Sequence, residues 1–128
     1  MRGDSKGRLG PLTDGSVVVI VGGGPGGAGC AIALKNLAQE LGRRIEVILY
    51  EGKIFERSTH YNQCAGVLSP PIIDILEKGL GLQFPWDLVQ REIAGYVLHS
   101  DNREIVLKGE GDHTYAVRRI NFDDFLLN

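Results

Sequence analysis

Residues Val17–Leu34, "VVVIVGGGPGGAGCAIAL", decide how the rest of the chain is read. Five β-branched residues, Val17–Val21, run straight into six glycines within the eight positions Gly22–Gly29. β-Branched side chains fit a pleated backbone, and an unbroken apolar run marks a strand buried on both faces. That strand is expected over Ser16–Val21. Glycine weakens regular structure, so glycine at this density has two explanations. It is a floppy linker, or something approaches the main chain very closely.

The residues beyond the glycines choose between them. After Pro25 the spacing turns helical: Cys30, Leu34, Leu37 and Leu41 fall on one face, with Ala31 and Ala38 widening the stripe. Lys35, Asn36, Gln39 and Glu40 take the opposite face. Pro25 suits a first helical turn and Gly42 the position just past a helix end, so the helix is expected over Pro25–Leu41. "IEVILY", Ile45–Tyr50, is a second strand, followed at once by Glu51. Strand, helix and strand make a βαβ unit, whose strands should be parallel and whose crossover should be right-handed.

In that setting Gly22, Gly24 and Gly27 spell the G-x-G-x-x-G of a dinucleotide-binding turn. Gly22 permits the turn, Gly24 leaves room for a pyrophosphate, and Gly27 lets the helix lie close on the sheet. Pro25 and Gly26 complete the loop at the positive end of the helix dipole. Glu51 is set to accept hydrogen bonds from an adenosine ribose, and its charge would repel a 2′-phosphate. Glu51 follows Gly22 by 29 residues, where about 20 is usual. The extra residues fall at the helix C-terminus and the "GRR" turn, away from the phosphate end. A structural glycine turn without a ligand is the competing reading.

The whole chain is consistent with one domain of ordinary composition. It has 128 residues, a net charge of -2 and two cysteines, Cys30 and Cys64, in no CxxC pattern. This balance gives no reason to expect nucleic acid or an anionic membrane as partner. Neither a zinc site nor a disulfide framework is indicated, and His60, Tyr61 and Cys64 together fall short of a metal site. No run approaches the ~20 apolar residues of a membrane span. Thiols without a secretion signal point to the cytoplasm. Residues 1–15 read as a disordered tail before a domain over 16–128. Arg2-Gly3-Asp4 and a faint lipoprotein-like pattern ending at Cys30 are set aside as chance.

Further along, Lys53–Gly66 reads as loop and Pro70-Pro71 opens a short helix through "IIDILEKGLG". "AGYVLHSDNREIVLKG" reads as a hairpin turning at Ser100–Asn102, and "TYAVRR" as a short strand. "NFDDFLLN" starts a helix with Asn121 as N-cap, Asp123 and Asp124 in the first turn, and Phe122, Phe125 and Leu126 facing inward.

Three stretches, in this order, carry a family resemblance. Val17–Leu34 resembles the FAD-binding N-terminus of glutathione-reductase-like flavoproteins. "NQCAGVLSP", Asn62–Pro70, resembles the C-G/A-G segment of the geranylgeranyl reductase family. "YAVRRINFDDFL", Tyr115–Leu126, resembles the R-x-x-F-D-x-x-L segment shared by that family and the aromatic-hydroxylase flavoproteins. The resemblance implies an α/β, Rossmann-like FAD-binding domain with a parallel sheet and an added hairpin. It implies FAD as cofactor and an oxidoreductase in which the flavin delivers hydride, in that family to isoprenoid double bonds. Gly22, Gly24 and Gly27 would hold the pyrophosphate and Glu51 the ribose. Cys64, Ala65 and Gly66 would lie against the cofactor, and Arg119 would reach it.

The same resemblance places a further FAD segment and the region for a small-molecule or lipid substrate beyond Asn128, where the helical pattern breaks off. The 128 residues alone are therefore expected to bind FAD weakly, to turn nothing over and to self-associate through an exposed sheet edge. No catalytic residue is assigned. Two rival readings stand: an oxygen-activating hydroxylase or halogenase, and a truncated fragment or bare binding module. Cys64 could equally be a packing thiol, and Arg119 a surface ion-pair residue.

Overall fold

The computed structural model describes residues 11–55, 64–109 and 113–128. Residues 1–10 of the expected tail, and residues 56–63 with His60 and Tyr61, lie outside the described residues. The first unit is the βαβ read from the sequence: β1 (Val17–Val21), α1 (Pro25–Glu40) and β2 (Glu46–Tyr50). β1 and β2 run parallel, Val17 opposite Glu46 through Val21 opposite Tyr50. The Gly22 N–H then donates to the Tyr50 carbonyl at 2.8 Å, so the ladder continues into the glycine loop.

Gly42 ends α1 in the left-handed region, φ +61°. The Gly42 N–H reaches Gln39 O at 3.1 Å and the Arg43 N–H reaches Ala38 O at 2.8 Å. These two bonds satisfy carbonyls that a helix end leaves orphaned. Within the stretch expected as tail, Leu12, Asp14 and Gly15 bond Arg43 and Arg44 at the α1–β2 turn.

Two expectations for this unit are corrected. β1 is covered on one face only, by α1, while Val17, Val19 and Val21 alternate to the other face and are exposed. The packed face of α1 is also rotated from the leucine stripe. Its buried residues are Ala28 and Ala38, whereas Cys30, Leu37 and Leu41 are exposed. Small side chains win that face because α1 touches α3 as well as the strands and must approach closely. Asn36, expected in solvent, donates from Nδ2 to the Leu80 carbonyl at 2.9 Å.

The second half holds most of the core. β3 (Val67–Leu68) precedes α2 (Ile72–Asp74), which runs on as a π-helical turn, Ile75–Gly79. A 3₁₀ turn at Trp86–Leu88 leads into β4 (Val89–Ile93). The hairpin β5 (Gly95–Ser100) and β6 (Arg103–Lys108) turns at Asp101–Asn102 as expected. β7 (Thr114–Val117) then lies between β3 and β4, antiparallel to both. α3 (Arg119–Leu127) follows directly. β3 and β4 were not legible: one has two residues, and Gln90, Arg91 and Glu92 make the other look like loop.

Ala28, Leu68, Leu76, Phe84, Val117, Phe122 and Leu126 form one buried cluster joining α1, β3, the π-helical turn, β7 and α3. Phe122 and Phe84 are its largest apolar members, and burying each contributes about 1.5–3 kcal/mol. The architecture is mixed α/β, with small sheets and the βαβ unit laid against α3.

The start of α3 differs from its reading. Arg118, in extended conformation, is the residue before the first turn, and no side chain caps it. Asn121 is inside the helix and is not its N-cap. Asp123 consequently sits in mid-helix, and its side chain is fully buried. The aspartates do not meet the helix dipole because Val117 already ends β7 and the chain coils at once.

Candidate functional site

The site begins where β1 hands over to α1. Gly22 leaves the strand at φ +99°, a conformation side chains disfavour. Gly27 faces back onto it: a Cβ there would run into the Gly22 carbonyl and lie 3.3 Å from Ile20 Cγ2. This is the close helix-to-strand approach expected of the third fingerprint glycine. A Cβ at Gly24 or Gly26, by contrast, would meet nothing within 4 Å. Gly24 precedes α1, Pro25 occupies its first turn, and no side chain caps the helix. The N-terminal N–H groups therefore have no side-chain cap at the positive end of the dipole.

Glu51 closes the corner. Its Oε2 accepts the Gly23 N–H at 2.7 Å, and its Oε1 accepts the Lys53 N–H at 2.8 Å. The Lys53 bond acts most strongly; burial opposes it by more than the Gly23 bond adds, and together the bonds hold the Glu51 carboxyl below its ordinary pKa. Each oxygen retains a lone pair for another donor. Gly23, absent from the sequence-based set, is the tightly enclosed member of the loop. A Cβ there would lie 2.9 Å from Glu51 Cβ and 3.0 Å from a methyl of Leu127, so α3 backs the loop.

A second cluster gathers at the start of α3. A crevice of about 340 Å³ is lined by Cys64, Ala65, Gln90, Arg118, Arg119 and Ile120, among others. Gly66 stands beside it at φ +72°, and a Cβ there would strike the Val117 carbonyl. The Gly66 N–H points at Cys64 Sγ at 3.5 Å. That contact, then the Arg119 guanidinium, lowers the pKa of the Cys64 thiol. Cys64 is exposed and thereby accessible. Burial opposes the charge of Arg119, but bonds to Asp123 and Cys64 outweigh it and raise its pKa.

Side chains link the two clusters. Arg119 places Nε at 2.9 Å and Nη2 at 2.8 Å from Asp123 Oδ1. The other oxygen, Oδ2, faces Lys53 Nζ at 3.7 Å. Lys53 in turn follows Glu51 by two residues and bonds it through its main chain. Sequence reasoning missed Lys53 and Asp123 in this role. The i,i+4 spacing of Arg119 and Asp123 on one helix was the available signal.

The fingerprint glycines and Glu51 thus meet at one corner, and Cys64, Ala65, Gly66 and Arg119 meet at another. A larger hollow, about 600 Å³, lies elsewhere, at the far end of α1 beside Lys35, Arg43 and Arg44. It is an open surface depression whose two arginines are already bonded to Leu12 and Asp14. Among the described residues, no group of three His, Cys, Asp or Glu could hold a metal ion. No helix there is long and apolar enough to cross a membrane. Comparison with protein-family models, with curated proteins and with solved structures finds no match to this chain.

Proposed function

We propose that this chain binds FAD across the two corners and serves as the cofactor-binding part of a cytoplasmic flavoprotein oxidoreductase. The observation that carries the reading is the Glu51 carboxylate bonded to Gly23 at the uncapped N-terminus of α1. A diphosphate fits there because Gly24 and Gly26 leave the approach open and helix N–H groups supply donors. Glu51 accepts the ribose hydroxyls and disfavours a 2′-phosphate. The Cys64–Gly66 segment and Arg119 receive the flavin half.

Bound FAD supplies hydride transfer, and the protein supplies position and electrostatics. Arg119 offers a fixed positive charge to the cofactor, and Cys64 offers a polarised thiol beside it. On the likeness to geranylgeranyl reductases, the acceptor is an isoprenoid or another apolar small molecule.

Titration with FAD, followed by flavin fluorescence, tests the reading. Saturable binding is expected, with ADP competing and FMN, which lacks adenosine, failing to compete. No saturable binding, or competition by FMN as effective as by ADP, contradicts it. Slow reoxidation by air after dithionite reduction is expected of a reductase. Fast reoxidation would favour the oxygen-activating alternative.

A further inference from the structure

Asp123 is the anomaly of the second half. Its side chain is completely buried, on the same helix as the core residues Phe122 and Leu126. Among the described residues no hydrogen-bond donor reaches its Oδ2. A leucine in that place would fill space without desolvating a carboxylate, and buried ion pairs rarely exceed an apolar replacement in stability. What the carboxylate does instead is orient two cations. Both Arg119 contacts converge on Oδ1, which sets the plane of the guanidinium, and Lys53 Nζ balances Oδ2.

We propose that Asp123 is the positioning residue of this crevice, fixing the Arg119 guanidinium against Cys64 and tying it through Lys53 to the Glu51 corner. A continuous path of contacts runs from the Gly23 N–H through Glu51, Lys53 and Asp123 to Arg119. The two corners are thereby held in one geometry before any ligand arrives. Pre-set geometry of this kind lowers the ordering cost of binding an extended molecule. The biological sense of the inference rests on the dinucleotide reading, but its physical content does not.

Cys64 reports on Arg119 without any nucleotide. Among the described residues, the charged groups that face the thiol are Arg119 and, behind it, Asp123; Arg118 lines the same crevice. Removing the Asp123 charge has two opposite consequences. If Asp123 only contributes charge, its loss favours the thiolate and lowers the thiol pKa. If Asp123 positions Arg119, its loss lets the guanidinium leave, and the pKa rises. The direction of the shift decides.

The experiment is the pH profile of Cys64 alkylation by iodoacetamide, in a Cys30→Ser background because Cys30 is also exposed. The thiolate is the reacting form, so the profile midpoint follows the thiol pKa. Arg119→Met sets the value without a guanidinium. Asp123→Asn is expected to move the midpoint up, to that of Arg119→Met. A midpoint that stays or falls overturns the proposal. Should Asp123→Asn fail to fold by circular dichroism, Arg119→Lys decides. It keeps the charge but cannot place two donors on Oδ1 while reaching the thiol. An upward shift is expected, and an unchanged profile overturns the proposal. A shift without FAD binding would leave the positioning role standing and the dinucleotide reading fallen; FAD binding without a shift would do the reverse.

Discussion

The corner at the glycine loop is held by main chain, whereas the corner at Arg119 is held by buried side chains. At the first, Gly22 continues the β1–β2 ladder, Gly27 packs on the Gly22 carbonyl, and Gly23 donates to Glu51. At the second, Phe122 fills the core and Asp123 pairs with Arg119 from within α3. Main-chain sites tolerate few residue types and therefore leave a mark in sequence. Side-chain sites are built from contacts distant along the chain, and their composition looks ordinary.

Deleting side chains should damage the second corner far more than the first. Phe122 is 1% exposed, and Phe122→Ala is expected to cost about 4 kcal/mol. Urea denaturation measures this; a loss below about 1 kcal/mol would mean that the core is not centred there. Adding a side chain should do the reverse. Gly27→Ala introduces a Cβ that collides with a carbonyl rather than a flexible side chain, and should cost about 2–3 kcal/mol. A neutral result would show that the close approach of α1 to β1 is dispensable.

A smaller effect belongs to Glu51. Its pKa is lowered in the folded chain, so the stability it contributes is complete above its ordinary value of 4.5. That stability is lost as pH falls from 4.5 through the lowered value. Melting temperature against pH should fall more steeply in this acid window for the wild type than for Glu51→Gln. Equal slopes would show that the Gly23 and Lys53 bonds leave no mark on stability.

The smallest expected effect sharpens the boundary of α3. As an N-cap, Asn121 would cost about 1 kcal/mol when replaced by alanine. Inside the helix, exposed and uninvolved in capping, Asn121→Ala should change stability by less than about 0.5 kcal/mol. A full unit of loss would restore the sequence-based boundary.

The βαβ unit was legible nearly residue by residue. β-Branched runs, a proline in the first helical turn and Gly42 at the end are all local signals, and the helix closes on Gly42 as read. The hairpin was legible for the same reason, from alternation about Asp101–Asn102. Illegible features depend on partners far along the chain. β3 and β4 exist as strands because β7 lies between them. The packed face of α1 is chosen by α3 and the π-turn, so Cys30 lies outside and Asn36 is half-buried against Leu80. Asp123 misled most: an acid near a helix start suggests a dipole contact, and only packing reveals a buried partner for Arg119. At the candidate site, the fingerprint glycines, Glu51 and Arg119 were legible. Gly23, Lys53 and Asp123 were not, because each acts through a neighbour.

Gly24 offers the most direct test, since a side chain there fills the phosphate approach without disturbing the fold. Its backbone is φ -65°, ψ 179°, ordinary for any residue, and a Cβ would meet nothing within 4 Å. The measurement is ADP binding by calorimetry to the wild type and to Gly24→Val, with thermal melts alongside. Binding by the wild type, its loss in the variant and unchanged melting are expected. Equal binding by both proteins, or none by either, would contradict a diphosphate seated at the mouth of α1.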